Sequence, residues 1–129
     1  MEIVQRPLTA NQYIALCRDS GLRRPIDQPD RIARMIGEAN IFLSCWFRGQ
    51  PIAMLRAWSD WVYVCYIADL AVARPHQRQG IGRALIEHLR ALLGQTVQLV
   101  VVAAAEATSF YHHLGFEKSQ CTFLVRRKQ

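Results

Sequence analysis

Two glycines separated by a single residue, Gly80 and Gly82, stand between an apolar run and a stretch of helical periodicity. A helix that begins at this point leaves its first backbone N–H groups without partners and places a partial positive charge at its start. Glycine lets a bound anion approach the backbone without obstruction by a Cβ atom. Arg78 and Arg83 stand on either side and can add charge-assisted hydrogen bonds. This combination predicts a site for a phosphate or pyrophosphate group.

Two widespread phosphate-binding loops do not fit these residues. A dinucleotide fingerprint needs a third glycine three residues after Gly82, and the chain has Leu85 there. A P-loop needs Gly-Lys followed by Ser or Thr, whereas Arg83 and Ala84 follow Gly82 here. The residues therefore exclude both loops.

The pattern that fits is Gln/Arg-x-x-Gly-x-Gly/Ala, present here as Gln77-x-x-Gly80-x-Gly82. It resembles the pyrophosphate-binding signature of the GNAT superfamily of acyl-CoA-dependent N-acetyltransferases. The preceding run, residues 67–72, is similar to the fourth strand of that family. Downstream, residues 107–116 resemble its Ala-x-x-x-Tyr-x-x-x-Gly-Phe segment. On these two motifs the chain is identified as a member of the GNAT superfamily.

The resemblance implies acetyl-CoA as the co-substrate and an amine as the acceptor, with no metal ion. In the family the pantetheine arm lies between the splayed fourth and fifth strands, where Leu70 and Val72 would offer it backbone hydrogen bonds. Backbone amides from Arg78 to Ala84 would bind the pyrophosphate. The cofactor-binding residues implied in this way are Leu70, Ala71, Val72, Gln77, Arg78, Gln79, Gly80, Ile81, Gly82, Arg83, Ala84, Ala107 and Phe110.

Transfer of an acetyl group from a thioester to an amine requires a proton to leave the amine and the departing thiolate to be protonated or stabilised. By the resemblance, Tyr111 is the general acid, and a phenol with an ordinary pKa of about 10 stays protonated at neutral pH. The general base is open. Asp69 is one candidate base, Asp60 and Glu106 are others, and a water relay is the remaining option that the family offers.

The elements that position these residues follow from hydrophobic periodicity and from capping residues. Their order is strand, two helices, three antiparallel strands, helix, strand, helix and strand. That order predicts the α/β (α+β) class, a mixed central sheet with helices on both faces. It agrees with the GNAT fold that the resemblance implies, in which a β-α-β-α-β unit follows an antiparallel meander. The predicted bounds are strand 3–6, a helix between Thr9 and Gly21, a helix capped by Asp30, strands 41–47, 51–58 and 61–72, a helix between Gly80 and Gly94, strand 97–102, helix 105–113 and strand 121–127.

Composition indicates one domain spanning residues 1–129, with an ordinary balance of 51% hydrophobic and 20% charged residues. No apolar run approaches the roughly 18 residues of a membrane span, and residues 1–10 lack the apolar core of a signal peptide. We therefore expect a cytoplasmic protein that does not act at a membrane. Three cysteines within apolar or aromatic runs are expected to be buried free thiols, namely Cys17, Cys45 and Cys65.

The formal net charge of +6 favours anionic partners, which include a phosphorylated cofactor as well as nucleic acid. The basic residues are not interleaved with aromatics in a nucleic-acid recognition motif, so no nucleic-acid partner is expected. His112 and His113 are adjacent on a predicted helix and point in different directions, which argues against a metal site. Dimerisation is common in the GNAT superfamily, so a homodimer is one candidate assembly.

The acceptor is the least determined part of the prediction. A small-molecule amine is favoured, because a basic protein repels polycations such as polyamines or histone tails. Four aromatic residues either line the acceptor pocket or pack across strands: Trp58, Trp61, Tyr63 and Tyr66. The alternative function is a catalytically inactive protein that binds acyl-CoA as a sensor or subunit.

Overall fold

The computed structural model describes every residue from Met1 to Gln129. Its strands are β1 Glu2–Gln5, β2 Ile41–Phe47, β3 Gln50–Ser59, β4 Val64–Val72 and β5 Gln98–Val101. Its helices are α1 Ala10–Ser20, α2 Pro29–Glu38, α3 Ile81–Leu93 and α4 Thr108–His113. The strands form one sheet in the order β1-β2-β3-β4-β5, antiparallel through β4 and parallel between β4 and β5. The predicted mixed sheet is confirmed, including the parallel pairing of its last strand.

Alternate residues of the central strands face two separate helical layers, as the period of two in a strand requires. On one face, Leu43 and Leu55 belong to a core cluster that contains Leu85 of α3. On the other face, Phe42 and Met54 belong to a cluster formed with α1 and α2. The predicted placement of helices on both faces is therefore confirmed. The three cysteines expected to be buried are buried free thiols.

The first helix has the predicted ends, whereas the start of the second was predicted wrongly. Thr9 and Gln12 form a reciprocal capping box at the start of α1, and Gly21 ends it in the left-handed conformation. Asp30 was expected to cap α2. The N-cap is instead Gln28, and Asp30 lies inside the first turn, because the fixed φ of Pro29 suits the first helical position.

The third strand of the meander begins at Val64 rather than at Trp61 as predicted. Asp60 Oδ1 accepts hydrogen bonds from the N–H groups of Val62, Tyr63 and Val64 at 2.9, 2.7 and 3.1 Å. Trp61 has a φ of 68°, which is incompatible with a strand. Local bonding by an aspartate side chain thus outcompetes the strand preference of these aromatic residues.

The last predicted strand, residues 121–127, does not form, and this prediction was wrong. Phe123 and Val125 are 91% and 103% exposed, and no backbone hydrogen bond joins this segment to the sheet. A strand is stabilised by its neighbours and by burial of one face, and this segment has neither. The preceding helix was predicted over 105–113. It consists of a 3-10 turn, Ala105–Ala107, followed by α4.

The pairing of β4 with β5 stops halfway along β4. Four residue pairs are formed, from Val64 opposite Gln98 to Ile67 opposite Val101. On its other side β4 stays paired with β3 as far as Val72, with a register shift that leaves Ala68 as an extra, bulged residue. The two parallel strands therefore separate beyond the bulge. None of the helices has the length and apolar character required to cross a membrane.

Candidate functional site

The gap between β4 and β5 exposes backbone groups of β4 that have no strand partner. Ala73 N–H donates to Ile52 of β3 at 2.8 Å, so the strand period turns the polar groups of Ala71 towards β3 as well. Those of Leu70 and Val72 face away from β3, which is the orientation that their predicted contacts with a pantetheine arm require. Ala71 was predicted to bind the cofactor, but its backbone is turned to β3 and its side chain is buried in the core.

The glycine loop opens α3 with free backbone donors, as predicted for an anion site. Gly80 has a φ of 82° and is the N-cap, and Arg78 also has a positive φ, of 63°. The first helical bond is Ala84 N–H to Gly80 C=O, so the earlier N–H groups of Ile81 and Gly82 have no intrahelical acceptor. No acidic side chain lies in the first turn to compete with a phosphate.

Two glutamines of the predicted set support the loop through their side chains. Gln77 Nε2 donates to the carbonyl of Val72 at 2.8 Å, and Gln79 Nε2 donates to that of Pro75 at 3.4 Å. Because Gln77 donates to the Val72 carbonyl, only the backbone N–H of Val72 remains available to a ligand. In this structure both glutamines therefore fix the shape of the loop.

The start of α3 is packed against α4. A Cβ atom at Gly82 would lie 2.8 Å from Cζ of Phe110, so a side chain at this position would require the Phe110 ring to move. Arg83 Nη2 donates to the carbonyl of His113 at 3.0 Å, which directs its side chain to the end of α4. Ala107 is half-buried where the 3-10 turn meets α4. These contacts tie the two motifs found in the sequence to each other.

Tyr111, the predicted general acid, borders a cavity of about 270 Å³ along β5. Its ring makes edge contacts with Phe110 and Phe116, at centroid distances of 5.0 and 5.3 Å. Burial raises the pKa of Tyr111 to about 12, and no group of the protein hydrogen-bonds its hydroxyl. The glycine loop does not border this cavity, which is lined by Leu99, Val100, Val101, Val102, Ala103, Thr108, Tyr111, His112, Phe116, Glu117, Lys118, Ser119 and Thr122.

Asp69, a candidate base, is the centre of a buried polar cluster and only 1% exposed. Its Oδ1 accepts from Arg24 Nε at 2.7 Å, and its Oδ2 accepts from Arg56 Nε at 2.5 Å and from the Tyr13 hydroxyl at 2.5 Å. Burial opposes ionisation, but the hydrogen bond from Arg56 and the two guanidinium charges outweigh it and lower the pKa of Asp69. A carboxylate that is buried, fully hydrogen-bonded and lowered in pKa is unsuited to take a proton from an amine.

The other two candidate bases differ from each other in their surroundings. Asp60 is engaged with the three N–H groups of its turn, and these hydrogen bonds lower its pKa. Glu106 is exposed in the 3-10 turn that follows β5 and makes no ion pair. Of the three candidate bases, Glu106 is therefore the one whose carboxylate has no hydrogen bond or ion pair within the protein.

The four aromatic residues near the β3–β4 turn do not stack on one another. Trp58 lies opposite Tyr66 across the strands, yet its Nε1 donates to the carbonyl of Glu38 at 2.8 Å, and the Arg56 guanidinium lies 4.9 Å from its ring. Tyr63 is 74% exposed and Tyr66 is 42% exposed. Trp58 thus supports the end of α2, while the tyrosines remain accessible to a ligand.

Three partners of Asp69 were missed in the sequence: Tyr13, Arg24 and Arg56. Arg56 carried a usable signal, since a charged residue inside a buried strand needs a counter-ion, and Asp69 is the charge opposite it in the register. Nothing in the periodicity distinguishes Tyr13 from an ordinary core residue. No cluster of three or more metal-binding side chains is present.

About half of the chain is similar in sequence to known plant acetyltransferases. A region of 68 residues, 51% of the chain, is 41% identical to GCN5-related N-acetyltransferase 2, chloroplastic, of Arabidopsis thaliana and to histone acetyltransferase TAP1 of Glycine max. The match covers 26% and 29% of those proteins, so the matched region makes up less than a third of their length.

Solved structures share the fold at low sequence identity. A probable acetyltransferase from Staphylococcus aureus is 20% identical with a TM-score of 0.85, covering 99% of this chain and 98% of that one. The ribosomal-protein-S18-alanine N-acetyltransferase of Escherichia coli is 23% identical with a TM-score of 0.72, covering 92% and 79%. At the level of sequence, the model of the Acetyltransferase (GNAT) family matches residues 10–116, which contain the strand gap, the glycine loop and Tyr111. The chain therefore belongs to the GNAT acetyltransferase family.

Proposed function

We propose that this protein is a cytoplasmic N-acetyltransferase that transfers the acetyl group of acetyl-CoA to a primary amine of a small molecule by direct attack in a ternary complex. One observation carries the proposal: the pairing of β4 with β5 ends at the bulge, and the free N–H groups of α3 follow on the same chain after a short loop. A family member with this arrangement has both a slot for an extended arm and donors for a pyrophosphate.

The residues fit acetyl-CoA as a co-substrate. Leu70 and Val72 would hold the pantetheine arm through backbone groups that face the gap. The N–H groups around Gly80 and Gly82 would hold the pyrophosphate, with Arg78 adding positive charge from the exposed side of the loop. Bound there, acetyl-CoA supplies an activated thioester, and the chain supplies position and protons.

Tyr111 is proposed to give its proton to the sulfur as the carbon–sulfur bond breaks. Its raised pKa keeps the phenol protonated at neutral pH, and its hydroxyl has no competing partner in the protein. The amine must lose a proton in the same reaction. Because Asp69 is fully bonded, we propose that this proton leaves through water, with the exposed and unpaired carboxylate of Glu106 as the remaining protein acceptor.

The proposal is tested first by calorimetry with acetyl-CoA, without any acceptor. We expect wild-type protein to bind and Gly82→Asp to lose binding, because the new side chain meets Phe110 and brings negative charge to the anion site. Gly37→Asp is the matched control: Gly37 lies in α2, where a Cβ atom would have no neighbouring atom within 4 Å, and this variant should bind like wild type. Absence of wild-type binding would overturn the proposal.

Turnover is then measured as release of CoA thiol over a panel of amines. The panel includes small amines, an aminoglycoside, a peptide with an N-terminal alanine and a lysine-bearing histone peptide, since similar proteins include enzymes for the last three. Thiol release with a small amine supports the proposal as stated. Release only with peptides would move the acceptor to proteins, and binding without any release would favour the acyl-CoA sensor.

A further inference from the structure

Arg24 connects the segment between α1 and α2 with the point at which β4 leaves β5. Its Nε lies 2.7 Å from Asp69 Oδ1, and its Nη2 donates to the backbone carbonyl of Ala68 at 2.8 Å. The fork of the guanidinium thus holds a side chain and a main-chain group of two successive residues in one plane. Its side chain is 28% exposed, while that of Asp69 has no exposure.

Ala68 is the residue at which the sheet geometry changes. It is the bulged residue against β3, and it directly follows Ile67, the last residue paired with β5. A bulged residue falls out of the ladder, so its polar groups need other partners. Without Arg24, the Ala68 carbonyl would be free to accept from the backbone that continues β5, at residues 102 and 103. Such pairing would extend the parallel ladder and close the gap.

We propose that Arg24 is a positioning residue that keeps the gap between β4 and β5 open for the pantetheine arm. This inference rests on the proposed function, because it assigns a role within the proposed acetyl-CoA site. It also means that the α1–α2 segment, residues 21–28, is linked through one side chain to the strand that receives the cofactor. Movement of that segment would then alter acetyl-CoA affinity.

Arg56 contacts the same carboxylate but cannot replace Arg24 in this role. Arg56 lies on β3, is 5% exposed and directs its second hydrogen bond to the carbonyl of Met35 in α2 at 3.3 Å. Of the two guanidinium groups, only that of Arg24 donates a hydrogen bond to the bulged residue, Ala68. Removing Arg24 leaves Asp69 with its Arg56 and Tyr13 partners, so the core cluster retains a counter-ion and the variant is expected to fold.

The test measures acetyl-CoA dissociation constants by calorimetry and melting temperatures for wild type, Arg24→Ala, Arg24→Lys and Arg90→Ala. Arg90 is the matched control, because its guanidinium also donates to two carbonyls, Gly94 at 2.7 Å and Val97 at 2.6 Å, at the far end of α3. We expect Arg24→Ala to weaken binding about tenfold, the order expected for a lost charge-assisted hydrogen bond. Arg90→Ala should lower the melting temperature and leave binding unchanged.

Arg24→Lys separates charge from geometry, because an ammonium retains the charge beside Asp69 but lacks the planar fork that reaches both acceptors. The melting temperature of Arg24→Lys should lie closer to that of wild type than the melting temperature of Arg24→Ala does. Its affinity for acetyl-CoA should stay as low as that of Arg24→Ala. Recovery of full affinity by lysine, equal weakening by Arg90→Ala, or unchanged affinity in Arg24→Ala would each overturn the inference and leave the proposed function standing. Failure of wild type to bind acetyl-CoA would overturn both.

Discussion

Two tyrosines of the chain, Tyr13 and Tyr111, lie in contrasting surroundings. Tyr13 of α1 is fully buried, and its hydroxyl donates to the Asp69 carboxylate at 2.5 Å. Burial, and then the charge of Asp69, raises the pKa of Tyr13 far above its ordinary value. Tyr111 of α4 is half-buried beside a cavity, and burial alone raises its pKa to about 12. Its hydroxyl has no partner in the protein.

The difference separates a structural role from a chemical one. Buried polar groups in folded proteins are almost always hydrogen-bonded, and a fully bonded cluster contributes rigidity. A hydroxyl that borders a cavity without a protein partner retains its proton for a ligand. The same criterion applies to carboxylates: Asp69, with three partners on its two oxygens, belongs with Tyr13 rather than with Tyr111.

The largest effect on stability is expected for Asp69→Asn. The amide has nearly the shape of the carboxylate but no charge, so it leaves Arg24 and Arg56 facing each other across a buried site without a counter-ion. Breaking a buried ion pair from one side costs about 3–5 kcal/mol of unfolding free energy. Urea unfolding at neutral pH measures this loss. Asp27→Asn is the control, since Asp27 forms no ion pair, and its curve should match wild type.

Activity of the same variant decides between the two roles of Asp69. If the carboxylate is only structural, Asp69→Asn assayed well below its melting temperature should keep most of its turnover number. A variant that remained as stable as wild type but lost turnover by orders of magnitude would restore Asp69 as the general base. The rule that fully hydrogen-bonded groups are structural would then fail at Asp69, the group with the most hydrogen-bond partners.

Tyr111→Phe should show the opposite pattern, with loss of catalysis and intact folding. Removal of a positioned general acid reduces turnover by about 100-fold or more. Because the hydroxyl has no protein partner, the unfolding free energy and the acetyl-CoA dissociation constant should both stay near their wild-type values. Tyr13→Phe serves as the control, since it removes a tyrosine hydroxyl from the structural Asp69 cluster and should keep its turnover number. Equal activity of Tyr111→Phe and wild type would exclude Tyr111 as the acid.

The parts of the fold that could be predicted from sequence are those with local causes. The ends of α1 follow from Thr9, Gln12 and Gly21, and each acts through residues within one turn. The glycine loop is similar, because the free N–H groups of α3 depend only on where that helix starts. Parallel pairing of β5 was also predictable, since an apolar strand that follows a crossover helix has few other places in a sheet.

The parts that could not be predicted depend on contacts between distant residues. Tyr13 and Asp69 are 56 positions apart, and Arg24 and Asp69 are 45 apart. The sequence around each residue therefore does not indicate which distant residue it contacts. The segment 121–127 shows the converse. Its local strand preference is real, yet without pairing or burial it forms no strand, because sheet stability comes from neighbours.

The smallest effect is expected for Tyr13→Phe, which removes one hydrogen bond to Asp69 and leaves both arginines in place. A hydrogen bond to a charged group contributes about 1.5–3 kcal/mol, and the two remaining partners should hold the loss of unfolding free energy near the lower bound.

The pKa of Asp69 is lowered in the folded state, so the stability it contributes is present above its unfolded pKa and lost as pH falls through the folded pKa. Because the Tyr13 hydroxyl helps to lower that pKa, Tyr13→Phe should lose stability at a higher pH than wild type during acid titration, as measured by urea unfolding from neutral pH downwards. In an Asp69→Asn background the same substitution should have no such pH-dependent effect. If the shift persisted there, the hydroxyl would be acting through another group, and Tyr13 would no longer be the bonded counterpart of Tyr111.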